Sequence, residues 1–556
     1  MLPAFSRIRI FPRTLPSAWL LFTGAIAALV LVPILCVLSS VFGNSSDVWQ
    51  HLSETVLGLY ITNSLWLSLG VSGGVLVIGV GTAWLVTMCR FPGSRVFEWA
   101  LLLPLAAPAY LLAYVYTELL EFYGPIQTFL RQTFLWENAQ DYWFPNIRSI
   151  GGAIAMLTLV LYPYVYLLAR VAFLEQSVRT LEASRSLGCN PWRSFFSVAL
   201  PLARPSIVAG LALVLMETLS DFGTVEFFSV DTFTTGIYRT WFGMGDRQAS
   251  MQLAAVLTIF VLWLILLEAW SRRQARYFQV SSRYQSLPRF QLGFIRGSIA
   301  LIFCFLPIAF GFLLPVGILT QMSIDNMTET FGQNFGELSL NSFLLAAITA
   351  SIGVVIASIV SYGKRLNSHW TMNLAVRTAS IGYAIPGSVI AVGIMIPLGS
   401  LDNWIDGWMR SNFDISTGLL LSGTIAALIF AYLVRFLAVS LNTVESSLNK
   451  IKPSFDDAAH SLGYGATATF LKIHLPLIWS GLLTAIMLLF VDVMKELPIT
   501  LVIRPFNFDT LAIRVYSYAS DERLAEAAAP ALAIILVGIL PVIFLSIRIA
   551  RSNPDT

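Results

Sequence analysis

The segment "DDAAHSLGYGATATFLKIHLPL", residues 456–477, is polar and rich in small residues within a chain that is mostly apolar. A second segment of the same kind, "LEASRSLGCNPWRSFFSVALPL", occupies residues 181–202. In both, an acidic residue and small residues precede a glycine, and Leu-Pro follows twelve residues after that glycine. Glycine favours the left-handed conformation that ends a helix. Each of these paired segments therefore predicts a short helix, a sharp corner and a second helix.

The composition of the rest of the chain is that of a membrane protein. The chain has 556 residues, of which 56% are hydrophobic and 12% are charged, whereas a soluble protein carries about 25% charged residues. The apolar residues form long runs without amphipathic spacing, which predicts helices surrounded by lipid. The small net charge of +3 gives no reason to expect a nucleic-acid partner.

Twelve apolar runs are long enough to cross a bilayer as helices, which need about 20 residues each. The runs lie near residues 17–42, 60–88, 97–119, 150–173, 206–227, 252–270, 297–320, 342–362, 377–398, 416–440, 479–497 and 527–548. Runs of this length exclude barrel strands. The predicted fold class is therefore an all-α polytopic membrane protein with twelve transmembrane helices.

The placement of arginines predicts which loops are cytoplasmic. Arg7, Arg9 and Arg13 precede the first run, and the linker between the sixth and seventh runs is rich in arginine without an acidic residue. The loops "CRFPGSR" (89–95) and "GKRLNSHW" (363–370) are also basic and fall on the same side. These arginines could merely solvate loop ends, but their consistent alternation predicts that both termini are cytoplasmic.

The chain reads as an internal duplication. Asn63 and Asn341 stand in similar contexts, and the same offset along the chain separates Pro108 from Pro386. Further along, a second and slightly shorter offset relates Gly188 to Gly463, Pro201 to Pro476, Asp221 to Glu496, Phe233 to Phe508, Arg239 to Arg514 and Asp246 to Asp521. Each copy has six runs, an even number, so both copies have the same orientation. Such repeats are related by a pseudo-two-fold axis along the membrane normal.

The duplication divides the chain into five expected parts. Residues 1–16 and 551–556 are the cytoplasmic ends, and residues 271–296 are a basic cytoplasmic linker. The first half, residues 17–270, and the second half, residues 297–550, are tandem six-helix repeats. A translocation route is expected between the two halves.

The paired segments follow the fourth run of each half on the predicted cytoplasmic side. Exposed small and acidic residues there suit a surface on which a partner docks, although one such segment could equally be a loop helix packed against the bundle. Two copies at matching positions favour a paired docking surface. The residues expected to form it are Glu182, Ala183, Ser184 and Gly188 in the first segment and Asp457, Ala458, Ala459 and Gly463 in the second.

The paired segments resemble the "EAA, three residues, glycine" loop of permease subunits in binding-protein-dependent ABC importers. The resemblance implies the type I ABC importer permease fold in a bacterial inner membrane, a periplasmic solute-binding protein and two copies of a cytoplasmic ATPase subunit, one for each loop. The chain departs from the pattern at Ser184, where Ala is usual, and at Asp457, where Glu is usual. The sequence has no G-x-x-x-x-G-K-[ST] loop. We therefore expect a transport subunit that is not an enzyme, has no cofactor of its own and relies on a partner to bind ATP and Mg²⁺.

The stretch "LFVDVMKELPITLVIRPFNFDTLAIRVYSYASDERLAEAA", residues 489–528, suggests the transported solute. It closely resembles the corresponding part of two-domain ferric iron permeases, which accept Fe(III) from a periplasmic binding protein. Permeases for thiamine, aminoethylphosphonate, polyamines and sulfate share the architecture and remain alternatives.

Ionisable residues in or near the fifth and eleventh runs are candidates for the translocation path or its periplasmic mouth, because such groups usually face a bundle interior or a wet cavity. They are Glu217, Asp221, Glu226, Asp492, Lys495, Glu496, Asp509 and Arg514. Carboxylates without a cysteine or histidine cluster are compatible with a hard cation such as Fe(III). The same residues could instead pair with one another or receive the binding protein. We expect no stable metal site, only transient carboxylate contacts.

A secondary transporter with six plus six helices is the rival from another class. Transporters of the major-facilitator type carry a basic motif between the second and third helices and need no polar helix–turn–helix after the fourth. Here the loop "CRFPGSR" is too short for that motif, and the paired segments are present. The sequence therefore favours an ATP-driven importer that works by alternating access.

Overall fold

The computed structural model describes residues 18–43, 46–175, 191–273, 290–327, 335–367 and 369–552. The regular elements of these residues are helices, apart from one short parallel pair of strands, in which Cys89–Arg90 lies beside Phe290–Gln291. The all-α fold class is confirmed.

The described residues contain ten unbroken helices that are long and apolar enough to cross a membrane, and two bent helix pairs that bring the count to twelve if each pair is one span. In the first half the unbroken helices are Ala18–Phe42, Leu57–Met88, Ile150–Leu174, Phe195–Ser220 and Arg247–Glu268. In the second half they are Phe294–Asp325, Phe335–Leu366, Gly387–Phe413, Ile425–Leu448 and Leu524–Phe544. The bent pairs are the third span, Ser94–Ala106 with Ala109–Phe134, and the eleventh, Ala466–Leu477 with Trp479–Lys495.

Shorter helices connect these spans. They include Asp47–Thr55, Gly223–Phe227, Phe233–Tyr238, Trp370–Ala379, Ser454–Ser461, Pro498–Ile503 and Leu511–Ser520, together with the 3₁₀ turns Leu103–Ala106 and Ile381–Ala384.

Proline breaks the chain at equivalent places in the two halves. Ala107 and Ile385 are extended, with ψ of 126° and 131°, because a residue that precedes proline avoids the helical region. The third span therefore bends by 87° at Pro108. The predicted ninth span, residues 377–398, was wrong at its start, because the continuous helix begins only at Gly387, after Pro386.

Two other predicted spans are shifted along the chain. The fifth was predicted at residues 206–227 but extends from Phe195 to Ser220. It ends there because Asp221 is extended and accepts backbone hydrogen bonds from the next helix, Gly223–Phe227. The tenth was predicted at residues 416–440 but begins at Ile425, where Thr424 caps its first turn.

The structure repeats contacts as well as helices. The Asn63 side chain donates to the backbone carbonyl of Asp231 over 2.9 Å, and Asn341 donates to that of Asp509 over 3.5 Å. Asp231 and Asp509 each precede the threonine that caps a helix, Thr232 and Thr510. The longer offset therefore applies here, and the predicted pairing of Phe233 with Phe508 and of Arg239 with Arg514 by the shorter offset was wrong. The π-helical turn at Phe195–Ala199 also recurs in the second half, at Phe470–His474.

The two halves pack closely against each other. The first span lies on the ninth, where a side chain on Gly393 would come within 2.6 Å of the Pro33 carbonyl oxygen. The twelfth span lies on the 3₁₀ turn Leu103–Ala106, where a side chain on Gly538 would come within 2.2 Å of the Ala106 carbonyl oxygen. Glycine at these two positions allows the backbones of opposite halves to touch.

Candidate functional site

The second paired segment has the helix–corner–helix structure that its sequence predicts. The helix Ser454–Ser461 ends at Gly463, which has a φ of +81°. The amide of Tyr464 donates to the Ala459 carbonyl and the amide of Gly463 to the His460 carbonyl, each over 3.0 Å. This pair of bonds is the Schellman arrangement that closes a helix with a left-handed residue.

The outer face of this helix is open to a partner. Asp457 and Ala458 are exposed, and so are Phe455 and Leu462, the latter with 76% of its surface free. Ala459, by contrast, is 1% exposed and packs inward. Of the predicted docking residues in this segment, Asp457, Ala458 and Gly463 therefore lie on the surface, and Ala459 lets the helix sit close to the bundle.

Asp456 fixes the helix to the membrane-spanning bundle. Its carboxylate accepts hydrogen bonds from Arg365 over 2.6 and 3.1 Å and lies 2.6 Å from Nε2 of the fully buried His474. Burial raises the pKa of Asp456, but the hydrogen bonds from Arg365 and His474 outweigh it, so the net pKa lies below the ordinary value. Asp457 was predicted from the sequence as a docking residue, but the anchoring role of Asp456 was not predicted.

The first paired segment lies largely outside the described residues. Glu182, Ala183, Ser184 and Gly188 all fall in the gap between residues 175 and 191. The described chain resumes with a helical turn at Pro191 and the π-helical turn Phe195–Ala199.

A cavity of about 150 Å³ lies between the two halves, and we call it the inter-half cavity. Its charged lining residues are Glu217 and Asp221 from the first half and Arg435, Asp492, Lys495 and Glu496 from the second. Tyr110 and Tyr164 of the first half and Tyr383 of the second also line it. Four carboxylates against two cations give the ionised cavity a formal charge of −2.

The carboxylates of the inter-half cavity follow the duplication. The offset that relates Asp221 to Glu496 also relates Glu217 to Asp492. Asp221 and Glu496 have the same local role as well, because each accepts backbone N–H bonds at the start of a short helix, from Thr224 and Val225 in one case and from Ile499 in the other. The cations are not repeated, since Lys495 corresponds to Ser220.

Two hydrogen bonds cross this cavity from one half to the other. The Tyr383 hydroxyl donates to Oε1 of Glu217 over 3.2 Å, and the Lys495 ammonium donates to the Leu105 carbonyl over 3.0 Å. Leu105 and Tyr383 are equivalent residues on the two 3₁₀ turns, related by the same offset as Pro108 and Pro386. The halves are therefore joined across the cavity in two related places.

Arg435 is a functional candidate that the sequence analysis missed. Its Nη1 lies 2.9 Å from Oε1 of Glu496, and the two side chains are 7% and 6% exposed. The sequence does contain a signal for it, since Arg435 is a lone arginine within the apolar run of the tenth span. An ionisable residue inside a membrane-spanning helix needs a partner or a cavity. Tyr383 gave no comparable signal.

The other three predicted residues lie outside the cavity lining. Glu226 is 3.6 Å from Arg239, which also pairs with Asp231. Asp509 is 3.5 Å from Arg514 and also pairs with Arg504. These three residues therefore form ion pairs on connecting segments, Glu226 in the first half and Asp509 and Arg514 in the second. Among the described residues, no group of three or more His, Cys, Asp or Glu side chains is arranged to hold a metal ion.

Both halves of the chain match the same model of a known protein family. A family model described as "Binding-protein-dependent transport system inner membrane component" matches the chain twice, at residues 75–273 and 350–554. The two matches cover corresponding parts of the two halves.

Curated relatives match over most or part of the chain. The "Fe(3+)-transport system permease protein FbpB 2" of Haemophilus influenzae is 27% identical over 494 residues, which is 87% of this chain and 89% of that protein. The "Ferric transport system permease protein FbpB" of Actinobacillus pleuropneumoniae is 23% identical over 510 residues, 86% of this chain and 68% of that protein. The "Molybdenum transport system permease protein ModB" of Escherichia coli (strain K12) is 28% identical over 209 residues, 36% of this chain and 87% of that protein.

Proposed function

Because this chain belongs to the family of binding-protein-dependent transport system inner membrane components, we propose that it is the permease subunit of an ATP-driven ferric iron importer. The single observation that carries the proposal is the double family match, which covers both halves of a multi-pass inner-membrane permease. Membership of this family also argues against a secondary transporter with six plus six helices.

Ferric iron is the substrate that the relatives and the cavity favour together. The two ferric permeases match most of this chain as a two-half protein, whereas the molybdenum permease corresponds to a single half. The inter-half cavity has a formal charge of −2, which attracts a cation and repels sulfate or molybdate. Beside Arg435 and Lys495, its side chains supply carboxylate and phenol oxygens, the kind of ligand that a hard cation prefers. Thiamine, aminoethylphosphonate and polyamines remain less favoured alternatives.

The energy of ATP hydrolysis is transmitted to this chain through the paired segments, each of which binds one copy of a separate ATPase subunit. Asp457, Ala458 and Gly463 present an exposed surface for one copy. By the duplication, Glu182, Ala183, Ser184 and Gly188 do the same for the other. In this proposal the ATPase subunits bind and hydrolyse ATP with Mg²⁺, and this chain supplies no catalytic group.

Transport proceeds by alternating access between the two halves. ATP draws the ATPase subunits together, each subunit moves its paired segment, and the halves rock to open the inter-half cavity towards the loaded binding protein. Glu226, Asp509 and Arg514, with their ion pairs outside the cavity lining, form the mouth on which that protein lands. This arrangement requires both paired segments and both termini in the cytoplasm, with residues 271–296 as the linker between the halves.

The test is the ATPase activity of the purified complex of this chain, its ATPase and its binding protein in liposomes. We expect ferric iron with the binding protein to stimulate hydrolysis and to be taken up, and thiamine, sulfate and molybdate to have no effect. Stimulation by one of those solutes instead of iron would reassign the substrate. Uptake without any ATPase subunit would overturn the importer mechanism itself.

A further inference from the structure

Two of the four carboxylates in the inter-half cavity each accept more than one hydrogen bond. Glu496 is bound by Arg435 over 2.9 Å and by the Ile499 amide over 3.0 Å. Asp221 accepts bonds from the amides of Thr224 and Val225 over 3.1 Å and from the Thr224 hydroxyl over 3.0 Å. These two groups are fixed parts of the cavity wall.

The other two carboxylates, Glu217 and Asp492, have much less support. Glu217 accepts one hydrogen bond, from the Tyr383 hydroxyl, and Asp492 accepts none from the part of the chain that the structure describes. Both are only partly exposed, and a carboxylate with little water and few partners is unfavourable unless a cation lies nearby. The cavity therefore needs a positive charge at Glu217 and Asp492 when it holds no substrate.

Lys495 supplies that charge. It lies three residues after Asp492, so the two side chains share one face of the eleventh span. Lys495 lines the same cavity as Asp492 and Glu217. The ammonium has three N–H donors, and the Leu105 carbonyl takes one of them. Lysine carries a compact charge on a flexible stem, which can move aside more easily than the planar fork of an arginine.

Comparison of the two halves indicates that the charge of Lys495 is not needed for the fold. The four carboxylates are repeated between the halves, but the residue equivalent to Lys495 is Ser220. The first half thus folds the same turn with a small polar residue in that place. A lysine is not needed to build the turn.

We infer that Lys495 is a tethered cation that occupies the Glu217–Asp492 pair of the empty cavity and that the passing cation must displace. The inference rests on the proposed function, because it assumes that a cation travels through this cavity. With Lys495 in competition, the two carboxylates attract a hard cation but do not retain it. The lysine thus sets how tightly the cation is held and how fast it leaves.

The test measures binding of Tb³⁺, a hard trivalent probe, to the detergent-purified full chain by luminescence sensitised through nearby tyrosines. We expect Lys495→Met to bind Tb³⁺ at least about tenfold more tightly than the wild type, because one competing charge has been removed. Lys495→Arg keeps the charge and should bind as the wild type does. The double variant Lys495→Met with Asp492→Asn should lose the gain.

A matched control separates the cavity from the rest of the protein. Lys364 pairs with Glu445 outside the cavity lining, so Lys364→Met also strands a carboxylate and should leave Tb³⁺ binding unchanged. Equal affinities in Lys495→Met and the wild type would overturn the inference, as would a gain that survives Asp492→Asn. If Lys495→Met is not recovered folded, tighter Tb³⁺ binding by Lys495→Gln decides the question in the same way.

Iron uptake by the reconstituted complex provides the second readout. Lys495→Met should reach half-maximal uptake at a lower iron concentration and have a lower maximal rate, because the cation is released more slowly. A loss of rate at an unchanged half-saturating concentration would contradict the inference. If the wild-type complex does not respond to iron at all, the proposed function fails, and the Tb³⁺ measurements still decide the role of Lys495.

Discussion

The Asp456 carboxylate lies 2.6 Å from Nε2 of His474, a side chain with no solvent exposure. This contact joins the exposed helix Ser454–Ser461 to the first part of the eleventh span, Ala466–Leu477. A second bond supports it, from the Tyr362 hydroxyl to the Ala466 carbonyl over 2.8 Å. The exposed helix is therefore connected directly to a membrane-spanning element through the Asp456–His474 contact.

The corner at Gly463 should be essential for coupling. Gly463→Val places a β-branched residue at a φ of +81°, a strain of about 1–3 kcal/mol. We expect the corner to shift and the variant to insert normally but to lose most iron uptake in the reconstituted complex. Gly465→Ala is the matched control, because Gly465 has an ordinary φ of −73° and open space around it. Normal uptake by Gly463→Val would count heavily against the coupling role.

Substitutions at Asp456 and at Asp457 should have separate effects, the first on the anchoring of the helix Ser454–Ser461 and the second on the docking of the ATPase. Asp456→Asn weakens the bonds to Arg365 and His474 and should lower the free energy of unfolding by about 1–3 kcal/mol. Asp457 is exposed, so Asp457→Asn should leave thermal unfolding unchanged and weaken binding of the ATPase subunit. Thermal unfolding in detergent and titration with the ATPase measure the two effects. The reverse pattern would exchange the roles of the two residues.

The contribution of Asp456 to stability should also depend on pH. Its folded pKa lies below the ordinary value of 3.8, so the stabilisation is fully present above that value and is lost as the pH falls through the folded pKa. Unfolding of the wild type followed from pH 7 towards about pH 3 should show this loss. Asp456→Asn should lack this part of the acid sensitivity, and an identical acid profile would contradict the assignment.

Removing Arg435 should be far more damaging than removing an exposed arginine. Arg435→Met leaves Glu496 charged and buried, which costs about 3–5 kcal/mol. The double variant with Glu496→Gln should recover much of that loss. Arg410, which is 61% exposed beside Asp406, is the control, and Arg410→Gln should cost at most about 1 kcal/mol. Similar thermal shifts for Arg435→Met and Arg410→Gln would show that the cavity pair is not structurally important.

Tyr383→Phe should loosen the contact between the halves. It removes the bond to Glu217 that crosses the cavity, worth about 0.5–1.5 kcal/mol. We expect a higher ATPase rate of the complex without substrate, since the halves part more easily. Tyr432→Phe removes a buried bond of the same kind to Thr500 within the second half and should leave that rate unchanged. An equal rise in both variants would point to general destabilisation.

Much of the fold could be predicted from the sequence, because the apolar runs and the repeated residues are properties of the chain itself. Pro108 and Pro386 also marked the two breaks, but their effect on helix boundaries was underestimated, and so the ninth span was placed too early. The π-helical turns at Phe195–Ala199 and Phe470–His474 have no sequence signal that we could identify.

The candidate site was only partly predictable, since it depends on which side chains meet across the two halves. Periodicity and charge identified Glu217 and Asp492 but could not show that Tyr383 and Leu105 of opposite halves reach the same cavity. Asp456 and Asp457 are neighbours in a polar segment, and only the packing of the helix decides which one is anchored and which one is exposed.

Both paired segments should contact a separate ATPase, and site-directed photo-cross-linking detects that contact. A benzophenone maleimide on Ala458→Cys or on Ala183→Cys, in a chain whose native cysteines are replaced by serine, would be activated in the assembled complex. Ser411→Cys, an exposed position at the end of the ninth span, is the control. We predict cross-links to the ATPase subunit from both paired segments and none from position 411. Cross-links from positions 183 and 458 only to other parts of this chain would contradict the account.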